Sequence, residues 1–209
     1  MKTRFTLTSL ALASLMMMGN TAMAAVVPSN TDAYFNVKLK LTGSCEVFTV
    51  QSGKSSAISA EGDATAGADI DFGTHIAKSS SEELSQGNVG QATSNIQVNC
   101  SKNTVFQVAL EPSNTNAEGT CSMSGLKGTN QDKIAYQLYK PTVSDSGDET
   151  ISNTISANKW GKGSNALTLT GKGLSTPIML PVFAKVPQNE LSDKTPDTYQ
   201  DRVKVTLTY

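Results

Sequence analysis

Residues 202–209 read Arg202-Val203-Lys204-Val205-Thr206-Leu207-Thr208-Tyr209. Successive side chains of a strand point to opposite sides, so Val203, Val205, Leu207 and Tyr209 share one face. Strict alternation over that length predicts a half-buried β-strand. The sequence stops at Tyr209, and no later strand is expected to cover the neighbouring edge. Exposed edges of this kind are normally paired, blunted or hidden. The other end offers a complement. Residues 33–42, AYFNVKLKLT, set Phe35, Val37, Leu39 and Leu41 on one face and Asn36, Lys38 and Lys40 on the other, after a Pro/Ser/Asn segment.

Between these ends the pattern is β almost throughout, with short alternating runs separated by Gly, Asn, Ser, Asp and Pro clusters. That is the pattern of an all-β sandwich. Strands are expected at Cys45–Val50, Asp69–Gly73, Ser94–Cys100, Thr104–Glu111, Ile134–Lys140, Ala166–Thr170, Pro177–Val186 and Thr198–Tyr209. Phe106, Val108 and Leu110 should face the core, as should Ile134, Tyr136 and Leu138. Residues 51–68 and 112–131 read as loops. The polar stretch 141–165 is expected to end in a turn at Trp160-Gly161. No helical periodicity and no internal repeat is evident in the mature part.

The N-terminus carries an export signal. Lys2 and Arg4 are followed by an apolar run from Phe5 to Met18 and by Ala22-Met23-Ala24. A basic start, an apolar stretch too short to span a bilayer and small residues at the cut are the marks of a secretory signal peptide. Cleavage is expected after Ala24, leaving about 185 of the 209 residues, enough for one domain with a sizeable core. Charged residues make up 17% and the formal net charge is −1. This balance argues against nucleic acid, whose binding needs a basic face.

Cys45, Cys100 and Cys121 are the three cysteines, and in an oxidising compartment two of them should pair. The favoured pair is Cys45–Cys100, with Cys100–Cys121 an open alternative. The first closes a loop of about 55 residues, for which chain entropy gives roughly 4 kcal/mol. Cys121 is then left as a quiet buried thiol or as a bridge to another molecule.

Residues able to carry catalysis are sparse. His75 is the only histidine, and it lacks a nucleophile motif such as G-x-S-x-G. Asp69 and Asp71 alternate on one expected strand without an identifiable partner, and read as solvated. No CxxC pair, HExxH or EF-hand loop is present, so no metal or cofactor is expected. Gly161-Lys162-Gly163 and Gly171-Lys172-Gly173 lack the spacing of a phosphate loop. No catalytic residue is assigned.

Four segments resemble the spore coat U family, which includes the pilins of archaic, Csu-type chaperone–usher pili. They are Phe35–Leu41 before Cys45, Ile70-Asp71-Phe72-Gly73-Thr74, Ile96–Cys100 with Phe106–Leu110, and Asp197–Tyr209. The last is similar to the family's ending G-x-Y-x-D-x-V-x-V-x-x-x-Y, with Asp197 where glycine is common. Cys121 and residues 141–165 lie outside the motif. The resemblance implies an incomplete immunoglobulin-like sandwich completed by donor-strand exchange. Residues 1–24 would be the signal, 25–44 the donor segment and 45–209 the pilin domain. Phe35, Val37, Leu39 and Leu41 would be donor residues, and Val203, Val205, Leu207 and Tyr209 would line the acceptor groove. The implied partners are identical or related pilin subunits, a periplasmic chaperone and an outer-membrane usher. The implied role is a shaft subunit at the cell surface, supporting adhesion and biofilm formation. The alternatives are a secreted coat or matrix protein that closes its own sandwich and, more remotely, a sugar-binding module or hydrolase, for which Trp160 and a few tyrosines are the available platforms.

Overall fold

The computed structural model describes residues 34–51, 54–57, 69–88, 95–113, 120–144 and 149–209, so the signal sequence expected at residues 1–24 lies outside the described residues. The chain divides into two units, residues 1–41 and 42–209. In the first, residues 34–41 belong to no strand, although their alternation predicts one. Alternation supplies a face, but a strand exists only when its N–H and C=O groups find a ladder partner.

The second unit is built of strands: β1 (Cys45–Gln51), β2 (Lys54–Ala57), β3 (Leu84–Gly87), β4 (Asn95–Cys100), β5 (Val105–Pro112), β6 (Thr120–Gly125) and β7 (Lys133–Val143) come first. They are followed by β8 (Ile151–Lys159), β9 (Leu167–Thr170), β10 (Ile178–Leu180), β11 (Phe183–Val186), β12 (Tyr199–Gln200) and β13 (Val203–Thr208). One sheet has the order β10-β4-β1-β2, a second β12-β6-β7-β11-β3 with β8 also on β7, and a third β13-β5-β9. All these pairings are antiparallel. The fold is all-β, its sheets gathered around one apolar core.

The strongest alternations do what their period requires. On β5 the buried set is Phe106, Val108, Leu110 and Pro112, and on β7 it includes Ile134, Tyr136 and Leu138. Ile96 and Val98 of β4 and Leu167 and Leu169 of β9 join them. Trp160 is fully buried, and its indole N–H donates to the Val108 carbonyl at 2.8 Å. Its backbone N–H donates to Leu138 O, and Leu110 N–H donates to Gly161 O. Trp160-Gly161 therefore joins β5 to β7, and the indole is a core group rather than a sugar platform.

Several expectations need correction. Pro177–Val186 is two strands in two sheets, because Pro181 has no N–H to continue a ladder and the next residue, Val182, donates its N–H to the buried Asn88 side chain at 2.9 Å. Thr198–Tyr209 likewise divides at Asp201-Arg202. Such changes of sheet make the corners of sandwiches. Asp69–Gly73 is not a strand: Asp71 Oδ1 accepts the Gly73 N–H at 2.8 Å and Gly73 has φ +78°, a turn that breaks the run. Ile70 and Phe72 still pack on the core. The expected loops contain β2, β6 and β8. These strands are rich in Ser and small residues and are held by better-patterned neighbours, which is how sheet context overrides propensity.

Candidate functional site

The edge strand β13 is the place where burial and pattern disagree. Its register on β5 pairs Val203 with Pro112, Val205 with Leu110 and Leu207 with Val108. Leu110 and Val108 are 1% and 0% exposed, whereas Val203, Val205 and Leu207 are only half-buried. They touch the core from one side, as does the half-buried Val47 of β1. Among the described residues β13 has no ladder partner on its far side. A row of unpaired N–H and C=O groups flanked by a half-covered apolar face is a template for one more strand. Tyr209 lies beyond the end of β13 and is 62% exposed.

The outward face of β13 is polar. Lys204 lies opposite Glu111, Thr206 Oγ1 donates to Glu111 Oε1 at 3.0 Å, and Lys162 stands 3.8 Å from the same carboxylate. The approach to β13 is fastened to the β6–β7 hairpin. Asp201 accepts the Tyr136 hydroxyl at 2.6 Å on one oxygen and the Ser113 hydroxyl on the other. Burial and the Asp201 carboxylate hold the Tyr136 phenol well above its ordinary range. Asp197 Oδ2 accepts from Asn130 Nδ2 at 2.8 Å and from Lys127 N at 3.0 Å, while its Oδ1 accepts from Thr198 N at 2.8 Å. These bonds, Asn130 foremost, hold the Asp197 carboxyl below the usual value. Asp132 is lowered by the Thr195 hydroxyl and N–H, at 2.6 and 2.8 Å.

In the N-terminal unit, Phe35, Val37, Leu39 and Leu41 are 86–90% exposed. Lys38 and Lys40 on the opposite face are exposed as well. At the start of the sandwich Cys45 is bonded to Cys100, its register partner across β1 and β4. Cys121 is a buried thiol on β6, opposite Tyr136. His75 is exposed with Nε2 2.7 Å from the Phe72 carbonyl, and Asp69 and Asp71 are exposed. No group of three or more metal-ligating side chains occurs among the described residues.

The Spore Coat Protein U domain model matches residues 31–206. The chain belongs to the Spore Coat Protein U domain family. No curated protein sequence matches this family member. Among solved structures it is similar to the chaperone–tip adhesion subunit pre-assembly complex of the archaic chaperone–usher Csu pili of Acinetobacter baumannii. There the identity is 15%, the TM-score 0.40, and the match covers 81% of this chain and 40% of that one. It is also similar to a chaperone–tip adhesin complex of CFA/I fimbriae, at 12% identity and TM-score 0.36, over 68% of this chain and 41% of that one. The chain thus spans about two fifths of the length of each solved chain.

Within the family motif, the structure gives three residues distinct jobs that pattern reading did not separate. Asp197 ties the β6–β7 loop, Tyr199 donates its hydroxyl to Thr195 O at 2.7 Å, and Asp201 holds Tyr136. Asp197, at the position where glycine is common, makes its turn with a carboxylate that accepts three N–H groups. The partners Asn130 and Thr195 had no sequence signal, and Tyr136 was legible only as a core-facing residue, because these contacts cross 65 residues or more or lie in an irregular loop.

Proposed function

We propose that this protein is a structural subunit in the shaft of an archaic chaperone–usher pilus. The segment 25–44 of one copy adds as a strand beside β13 of the next, with Phe35, Val37, Leu39 and Leu41 inward against Val203, Val205 and Leu207. Signal residues 1–24 direct export, a periplasmic chaperone lends a strand in transit, and an outer-membrane usher exchanges it for the neighbour's. The fibre stands on the cell surface and supports adhesion and biofilm formation.

The observation that carries this reading is the contrast between Val108, Leu110 and Pro112 of β5, which are buried, and their register partners on β13, which are not. The exposed apolar set of residues 35–41 supports it from the other side. Four such side chains buried at about 1.5–3 kcal/mol each contribute on the order of 6–12 kcal/mol before ordering costs. Main-chain hydrogen bonds along the β13 edge add to this, and alternate side chains supply selectivity.

Deleting residues 25–42 tests the reading. The truncated subunit is expected to co-purify with its chaperone and to form no fibres by electron microscopy. Fibres built from the truncated subunit would refute it. An intact chain that stays monomeric and never forms SDS-resistant ladders would instead favour a coat or matrix protein that closes its own sandwich.

A further inference from the structure

The point where the donor segment joins the sandwich is more heavily fastened than a strand start requires. Cys45 is the first residue of β1 and is bonded to Cys100, the last residue of β4, directly opposite in register. One residue earlier, Ser101 N–H and Ser101 Oγ both donate to Ser44 O, at 2.9 and 3.1 Å, and Ser44 N–H donates to Ser101 Oγ at 3.0 Å. Gly43 is pressed on Thr104, where a Cβ would meet Oγ1 at 2.9 Å.

An antiparallel pair pulled apart from one end opens one register pair at a time. Tension on residue 44 would do this to β1 and β4, beginning at the Cys45–Cys100 pair. We propose that the Cys45–Cys100 bond is a mechanical lock that bars this first step and diverts fibre tension away from residues 46–99. The proposal rests on the subunit joint described above. Tension then passes from Cys45 to Cys100 and through the Ser101–Thr104 turn. That turn is held by Asn103 N–H on Gly171 O and by Gly171 N–H on Thr104 O, both at 2.8 Å. From there it enters β5, the centre of its sheet, which carries β13 along six register pairs. The strands β1 to β4 lie outside this path. The Ser44–Ser101 hydrogen bonds extend the anchor by one residue but yield singly.

Stretching the full mature chain between a handle at Ala25 and one at the exposed Leu126, attached without cysteine chemistry, tests the lock. The oxidised chain should show no event before the domain yields. Without the bond, β1 should peel first at lower force. Once the peeling has run on through β4, the 55-residue separation at ~3.4 Å per extended residue should have lengthened the chain by up to ~190 Å. The bond is removed by Cys45→Ser with Cys100→Ser and, should that variant not fold, by reducing the folded wild-type chain while it is held. Ser101→Ala in the oxidised chain should leave the yield force unchanged, and a fall there would overturn the lock. Fibres that yield at one force with and without the bond would overturn the tension path and leave the pilus reading standing. An early event in the held chain, from a protein that never forms fibres, would uphold the lock and overturn the pilus reading.

Discussion

Asp201 and Tyr136 meet at the corner where the chain leaves β12 for β13, and the pair fixes that corner. The Tyr136 ring is buried and its hydroxyl donates to a carboxylate. A hydrogen bond to a charged group contributes about 1.5–3 kcal/mol, so Tyr136→Phe should lower stability by roughly that amount in chemical denaturation. The phenol's raised folded value also fixes a direction with pH. A group whose folded pKa exceeds its unfolded one contributes stability that is full below the unfolded value, here 10.0, and is lost as pH rises through the folded value. Alkaline unfolding above pH 10 should therefore be blunted in Tyr136→Phe. Asp132 and Asp197 behave in the opposite sense. Their folded values lie below 3.8, so their contribution is complete above that pH and fades as pH falls through the lowered values. Asp132→Asn with Asp197→Asn should flatten the pH dependence of the melting temperature below about pH 4 and leave its alkaline side unchanged.

At the scale of the element, β13 and β5 carry similar alternation and differ in what covers them. Leu110→Ala empties a site that is 1% exposed and should cost about 2–5 kcal/mol. Val205→Ala, its register partner, loses less in the isolated subunit because water already reaches that side chain. In an assembled fibre the cost at Val205 should rise, and equal costs in subunit and fibre would contradict strand addition at this edge. The contrast also explains what the sequence could and could not yield. Alternation at Phe106–Leu110, Ile134–Leu138 and Val203–Leu207 was legible because one face of each strand is apolar without interruption. The corners at Pro181 and Asp201 were not, since an alternating run can change sheets without changing its period. Strands β6 and β8 were missed because Thr120–Gly125 and Ile151–Lys159 carry Ser, Asn and small residues where an apolar face would announce a strand. The anchoring role of Trp160 was hidden in a polar stretch, although a lone tryptophan beside glycine is a reasonable signal of a core plug.

At the scale of the whole molecule, the question is whether the sandwich of residues 42–209 recognises the apolar face of residues 33–42 when the two belong to different molecules. A chain lacking residues 25–42, mixed with a peptide of residues 33–42, isolates that recognition from chaperone and usher. A ligand that binds only the folded state stabilises it by about 2.7 kcal/mol at a hundredfold excess over its Kd, so the melting temperature should climb with peptide concentration. Register gives the control its force. The side-chain period of a strand is two, and a one-residue slip turns every side chain to the other face. A peptide with its apolar and polar positions exchanged keeps the composition but presents Lys and Asn to Val203, Val205 and Leu207. It should leave the melting temperature unchanged. If both peptides stabilised the sandwich equally, the half-covered face of β13 would be a sticky surface rather than a groove that reads alternate side chains.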